Sequence, residues 1–282
     1  MKSYHLGLYE KSMPGTLNLP EKLKEAKAAG YDYLELSIDE TDEKLSRLNW
    51  SCNEIRNLRF AMEESGIPIK SICLSAHRRF PLGDPDPEIR HRSLIIMEQA
   101  ILLAVKLGIR IIQISGYDVY YKPSTNETQK LFGESLEQSV RLAAREGVIL
   151  AFETMETPFM DTVEKAMFYV SDINTPFLQV YPDLGNLTNA ALIYGHDFVC
   201  DMLTGGGHIA ALHLKETLPG IYRDVPYGTG HVDFASGVRT AFQLGVRRFV
   251  GEFWDNGDYQ AQISHAHTFL RGFLDEAAME VY

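Results

Sequence analysis

Short apolar runs and longer amphipathic stretches alternate along the whole chain. The runs at 4–9, 33–38, 69–75, 109–115, 148–153, 177–183, 208–215 and 247–253 are nearly continuous in apolar residues. That is the pattern of parallel strands covered on both faces. Between and after them, 20–29, 53–65, 87–107, 126–146, 161–171, 189–203, 234–244 and 260–278 read as helices. Several carry their own punctuation. Asp86 precedes Pro87 at a first turn and Gly108 follows the last turn, the order expected of a capped helix. Gly30 and Gly147 stop two others, and Asn53 is the expected cap of the second helix. Eight strand-plus-helix units predict a parallel sheet closed into a single (β/α)8 TIM barrel of the α/β class, one domain over 1–282. No GxGxxG follows the first strand, which argues against an open doubly wound sheet.

The barrel prediction says where to look for chemistry, because barrel sites lie at the C-terminal ends of the strands. Four consecutive runs in the second half end in, or carry near their end, a metal-type ligand: VILAFE at Glu153, FLQVYPD at Asp183, IAALHLK at His213 and RRFVGE at Glu252. Their spacing of roughly 30 to 40 residues is about one strand-plus-helix unit, so closure would bring them to one face. Three carboxylates and an imidazole suit a hard or borderline divalent cation. A carboxylate ending an apolar strand is costly to bury unless paired or metal-bound. Asp183 alone, in YPDLGN, also reads as an ordinary turn aspartate. Gly251 is small enough to leave room for a ligand beside Glu252. His208 and His213 are about 16 Å apart along one strand, so only His213 reaches the catalytic end.

Composition narrows the partners. Lys and Arg total 27 against 38 Asp and Glu, a formal charge of −11, which disfavours nucleic acid. The cations Arg78, Arg79, Lys215 and Arg223 nevertheless fall in the loops after strands three and seven, and His77, just past strand three, reads as either a substrate contact or a loop-structural residue. In an acidic chain that suggests an anionic group on the substrate, a phosphate first. Arg78 and Arg79 can equally pair with Asp84 and Asp86. Three scattered cysteines form neither a disulfide framework nor a zinc motif, so a reducing cytoplasm is expected. The first residues, MKSYHLGLYEKSMPG, contain no apolar core of a secretory signal, and no run reaches about 18 apolar residues. A membrane partner is therefore not expected, and a homodimer is the default assembly.

LSAHRRFPLG, GYDVYY followed by NET, YPDLGN, and HLKETLPG with VPYGTGHVDF resemble the L-ribulose-5-phosphate 3-epimerases. These are also called L-xylulose-5-phosphate 3-epimerases and belong to the xylose-isomerase-like barrels. The resemblance implies that Glu153, Asp183, His213 and Glu252 bind one divalent ion, Zn2+ or Mn2+. It also implies that Glu153 and Glu252 are the acid–base pair, working on opposite faces of C3 through a metal-stabilised cis-enediolate. The substrate would be a phosphorylated pentulose, contacted by His77, Lys215, Arg223 and Asn186, in a step of L-ascorbate degradation. Free-ketose 3-epimerases carry a histidine where this chain has Asn186. Two other readings stay open: an aldose–ketose isomerase acting on a hexulose phosphate, and a catalytically dead sugar-phosphate binding barrel.

Overall fold

The computed structural model describes residues 3–281, so the outermost positions of the expected 1–282 domain lie outside the described residues. Eight strands form: β1 His5–Tyr9, β2 Tyr33–Ile38, β3 Ile69–Leu74, β4 Ile111–Ser115, β5 Ile149–Glu153, β6 Leu178–Val180, β7 Leu212–Leu214 and β8 Arg248–Gly251. They pair in parallel in the order β6-β5-β4-β3-β2-β1-β8-β7. The two ends of that order then meet. Val180 N donates to His208 O at 2.8 Å, Ala210 N to Val180 O at 2.9 Å, and His213 N to Pro182 O at 2.9 Å. The sheet is thus a closed (β/α)8 barrel. Its seam is thinner than the sequence suggests, with three-residue strands on both sides. Pro182 has no N–H to continue the β6 ladder.

Among the described residues ten α-helices surround the barrel: α1 Leu19–Ala28, α2 Asp42–Ser46, α3 Cys52–Ser65, α4 Pro87–Leu107, α5 Asn126–Glu146, α6 Val163–Ile173, α7 Leu184–Tyr194, α8 Phe198–Thr204, α9 Phe234–Gln243 and α10 Tyr259–Val281. Two expectations need correction. The helix expected at 189–203 is two helices. Asp183 caps α7 by accepting from Asn186 N at 2.7 Å, and Gly195 ends it at φ 65°. Asn53 is not a cap; Ser51 and Glu54 form a reciprocal capping box that starts α3 one residue earlier. Among the described residues no helix is long and apolar enough to cross a membrane.

The strands alternate more strictly than their apolar look implies. Leu34, Leu36, Ile38, Ile72, Leu74, Ile112 and Ile114 face the helices and join the main core. The intervening positions face the barrel axis, as a period of two requires. Tyr9, Tyr33, Cys73, Ile111, Ala151, Tyr181 and Val250 pack there, together with buried Glu35, Ser37, Ser71, Gln113 and Glu153. At the bottom, the Tyr33 ring fills the space beside Gly7; a Cβ there would lie 2.4 Å from it. Gly251 points the other way. A Cβ on it would lie 3.1 Å from Leu270 of α10, so its smallness serves helix packing and not a ligand.

Candidate active site and metal centre

Glu153 ends β5, Asp183 lies just past β6, His213 is the middle of β7, and Glu252 follows β8. Barrel closure brings one ligand atom from each to within 4.8 Å of the others, and all four side chains are buried. His213 Nδ1 is 3.4 Å from Glu153 Oε1 and 3.6 Å from Glu252 Oε2. His213 Nδ1, Asp183 Oδ2 and Glu252 Oε2 are buried and make no hydrogen bond. Unsatisfied buried polar atoms are costly. Three of them converging on one point, from hard and borderline donors, fit a divalent cation.

Each ligand is held from behind. Gln113 of β4 donates to Glu153 Oε2. Asp183 accepts from Asn186 N through Oδ1, and its own N–H bonds Thr154 Oγ1 at 3.0 Å. His213 Nε2 lies 2.6 Å from Glu35 Oε1. The Lys215 ammonium sits 3.1 Å from Asp183 Oδ1 and 3.4 Å from Glu252 Oε2. Burial would strip its proton, but Asp183 and Glu252 hold its pKa above the usual value. Burial raises Asp183, with Lys215 pulling the other way. For Glu252 the balance reverses: Lys215 and His213 outweigh burial and hold it low. Burial also opposes the His213 imidazolium, yet Glu35 and Glu252 push its pKa well above normal. A divalent cation would offset the charge that Glu153, Asp183 and Glu252 carry beyond the single Lys215 ammonium.

A cleft opens above these ligands, lined among others by Tyr9, Lys11, Cys73, Arg78, Asn186, Tyr222, Arg223 and Trp254. Of the residues expected at the substrate, Lys215, Arg223 and Asn186 are in the lining and His77 is not. His77 is buried with Nε2 3.2 Å from the Ser93 carbonyl of α4, and burial lowers its pKa to about 4. It is a neutral ring tying the loop after β3 to a helix, the loop-structural one of its two expected roles. Arg79 also points elsewhere, to Asp42 at 2.7 Å. Arg78, by contrast, stacks over Tyr120 at 4.8 Å and meets no carboxylate at ion-pair distance among the described residues. Arg223 stacks over Trp254 at 5.0 Å. Its loop is shaped by buried Glu216, which accepts from Gly228 N at 3.0 Å and Val232 N at 3.2 Å. Asn186 donates to Thr154 O at 2.7 Å, and its buried Oδ1 has no partner.

Sequence reasoning missed Glu35, Gln113, Tyr9, Lys11 and Trp254. A signal existed for the first two. Both are polar residues at inward parity inside apolar strands, in LELSI and IIQIS. Lys11 is placed by its neighbour Glu10, a buried carboxylate that accepts from Ser37 N at 2.9 Å and pairs with Lys44 and Arg47, each at 2.6 Å.

The chain belongs to the xylose isomerase-like TIM barrel family, whose model matches residues 23–272. Within it, the L-ribulose-5-phosphate 3-epimerase UlaE of Escherichia coli K12 is 42% identical over 281 residues, covering 99% of this chain and 98% of the relative. A solved L-ribulose 3-epimerase superposes with TM-score 0.77 at 18% identity, covering 98% of this chain and 96% of its own. A xylose isomerase-like TIM barrel protein from Mycobacterium smegmatis, solved with magnesium, gives 0.72 at 16%, covering 99% and 98%. At such identities these two structures speak for the shared fold alone.

Proposed function

We propose that the protein is a metal-dependent sugar-phosphate 3-epimerase that interconverts L-xylulose 5-phosphate and L-ribulose 5-phosphate. The observation that carries this reading is the pair of buried carboxylates, Glu153 from β5 and Glu252 from β8, both facing His213 Nδ1 below a cationic cleft. Inverting one carbon takes a base on one face and an acid on the other. Glu153 and Glu252 fill these roles, exchanging them with reaction direction. A divalent cation held by Glu153, Asp183, His213 and Glu252, with Zn2+ or Mn2+ favoured, supplies positive charge against the negative charge that develops on the sugar oxygens. Gln113 anchors Glu153 Oε2 and so fixes the orientation of the carboxylate. Lys215 donates to a sugar oxygen, and the unpartnered Asn186 Oδ1 accepts from a hydroxyl. Lys11, Arg78 and Arg223 at the cleft take the phosphate. The family resemblance extends the proposal to L-ascorbate degradation, the scattered cysteines to a cytoplasmic location, and the prevalence of two-fold assemblies to a homodimer.

The test is to incubate the Mn2+- or Zn2+-loaded protein with L-xylulose 5-phosphate in heavy water and follow it by proton NMR. L-Ribulose 5-phosphate carrying deuterium at C3 is the expected product. Exchange at C1 would move the assignment to an aldose–ketose isomerase. Tight binding with no exchange at C3 would make it a binding protein.

A further inference from the structure

Glu35 sits in the barrel interior on β2, fully buried. A buried carboxylate normally has a cation or a metal beside it. Glu35 pairs with no Lys or Arg among the described residues; its one nitrogen partner is His213 Nε2, at 2.6 Å. Its other oxygen accepts from Ser71 Oγ at 2.6 Å and from Tyr181 OH at 3.0 Å. The Tyr181 ring also packs edge-on against the His213 ring, centroids 4.8 Å apart. Tyr181 therefore fixes Glu35 with its hydroxyl and the imidazole plane with its ring.

We infer that Glu35 is the positioning residue of the metal centre, holding His213 with its proton on Nε2 so that Nδ1 faces Glu153, Asp183 and Glu252 as a free ligand. A neutral imidazole has one donor and one acceptor nitrogen, and the partner of one decides the state of the other. Donation from Nε2 to Glu35 turns Nδ1 toward the three carboxylates, where it has no hydrogen bond, so that its lone pair is the one available to a bound ion. Without Glu35 the ring is free to take the other tautomer, with a proton where the ion belongs. The inference rests on the metal-site part of the proposed function and uses nothing about substrate.

Metal-free wild type, Glu35→Gln and Glu35→Leu would each be titrated with Co2+, read by calorimetry and visible absorption. Gln keeps an acceptor for Nε2–H, and Leu does not. Glu35→Leu is expected to weaken Co2+ binding by about 10–100-fold with an altered spectrum, and Glu35→Gln by less. In the 15N-histidine spectrum of Zn2+-loaded wild type, His213 is expected to carry its proton on Nε2. A Glu35→Leu variant that binds Co2+ within about two-fold of wild type, or a proton found on Nδ1, would overturn the inference. The nitrogen spectrum needs no variant, so misfolding of Glu35→Leu leaves the question decidable. A wild type that binds no Co2+ would remove the metal centre and this inference together. Missing C3 exchange with intact Co2+ binding would count against the epimerase reading alone.

Discussion

In the proposed function Glu153 and Glu252 each have two tasks, ligation and proton transfer, and one side chain change removes both. Glu153→Gln and Glu252→Gln are each expected to lower kcat by about 10²–10⁴-fold. Measuring bound metal at saturating concentration separates the tasks; wild-type turnover in either metal-loaded variant would sink the two-carboxylate mechanism. Arg223 lies further out, stacked on Trp254. Arg223→Ala should raise KM for the phosphorylated pentulose by about 10–100-fold, the worth of a hydrogen bond to a charged group, with kcat largely kept. A fall in kcat at unchanged KM would place Arg223 in the chemistry instead. His213 has a raised pKa in the metal-free protein, with burial opposing and Glu35 and Glu252 prevailing. Protons therefore compete with the ion at Nδ1. Metal affinity should rise with pH, and binding should release protons, seen as a heat that changes with the ionisation enthalpy of the buffer. Buffer-independent heats would contradict this.

Among the elements, α7 and the end of β1 carry the most consequence for the site. Asp183 is the N-cap of α7 and one of the four residues that could hold the metal ion. Asparagine caps as well as aspartate but brings no charge. Asp183→Asn should therefore keep the stability of the metal-free protein while losing metal, whereas Asp183→Ala should lose metal and about 1 kcal/mol of stability as well. Equal melting of the two metal-free variants would show that the cap contributes nothing. At β1, Glu10 is surrounded by Arg47, Lys44 and Lys22. Removing its charge leaves cations buried without a partner, so Glu10→Gln should cost about 3–5 kcal/mol in urea unfolding. Burial alone would raise the Glu10 pKa, but the three cations lower it from 4.5 to about 2. A folded-state pKa below the unfolded one means that its stabilisation is full above pH 4.5 and is lost as pH falls toward 2. Wild type should lose stability across that window more steeply than Glu10→Gln; parallel curves would argue against the network.

For the molecule as a whole, the cluster that could hold the metal ion draws its residues from the ends of β5, β6 and β8 and from β7, across the thin seam between β6 and β7. An ion that binds only the folded barrel stabilises it by mass action, about 2.7 kcal/mol at a hundred times Kd. Chelation should lower Tm by several degrees, and added Mn2+ or Zn2+ should restore it in a concentration-dependent way. A Tm indifferent to metal would mean that the site does not bind it in the folded state.

The chain read alone was sufficient for the barrel and for the meeting of Glu153, Asp183, His213 and Glu252 at one face. Both follow from local pattern: apolar runs of strand length, glycine and proline punctuation, and one ligand at or near each of four strand ends. It was insufficient at the seam and inside the barrel. Pro182 and the Asp183 cap shorten β6 and start α7 early, a competition between strand and helix that an apolar run does not reveal. Glu35, Gln113 and Tyr181 stood in the sequence as polar interruptions of apolar strands, with no indication of what they face. His77 looked like a site histidine because it follows a strand, and it turned to α4 instead. Contacts such as Glu35 to His213 span 178 positions in the chain. Only closure of the sheet, which sends alternate side chains of every strand to one axis, decides which residues meet there.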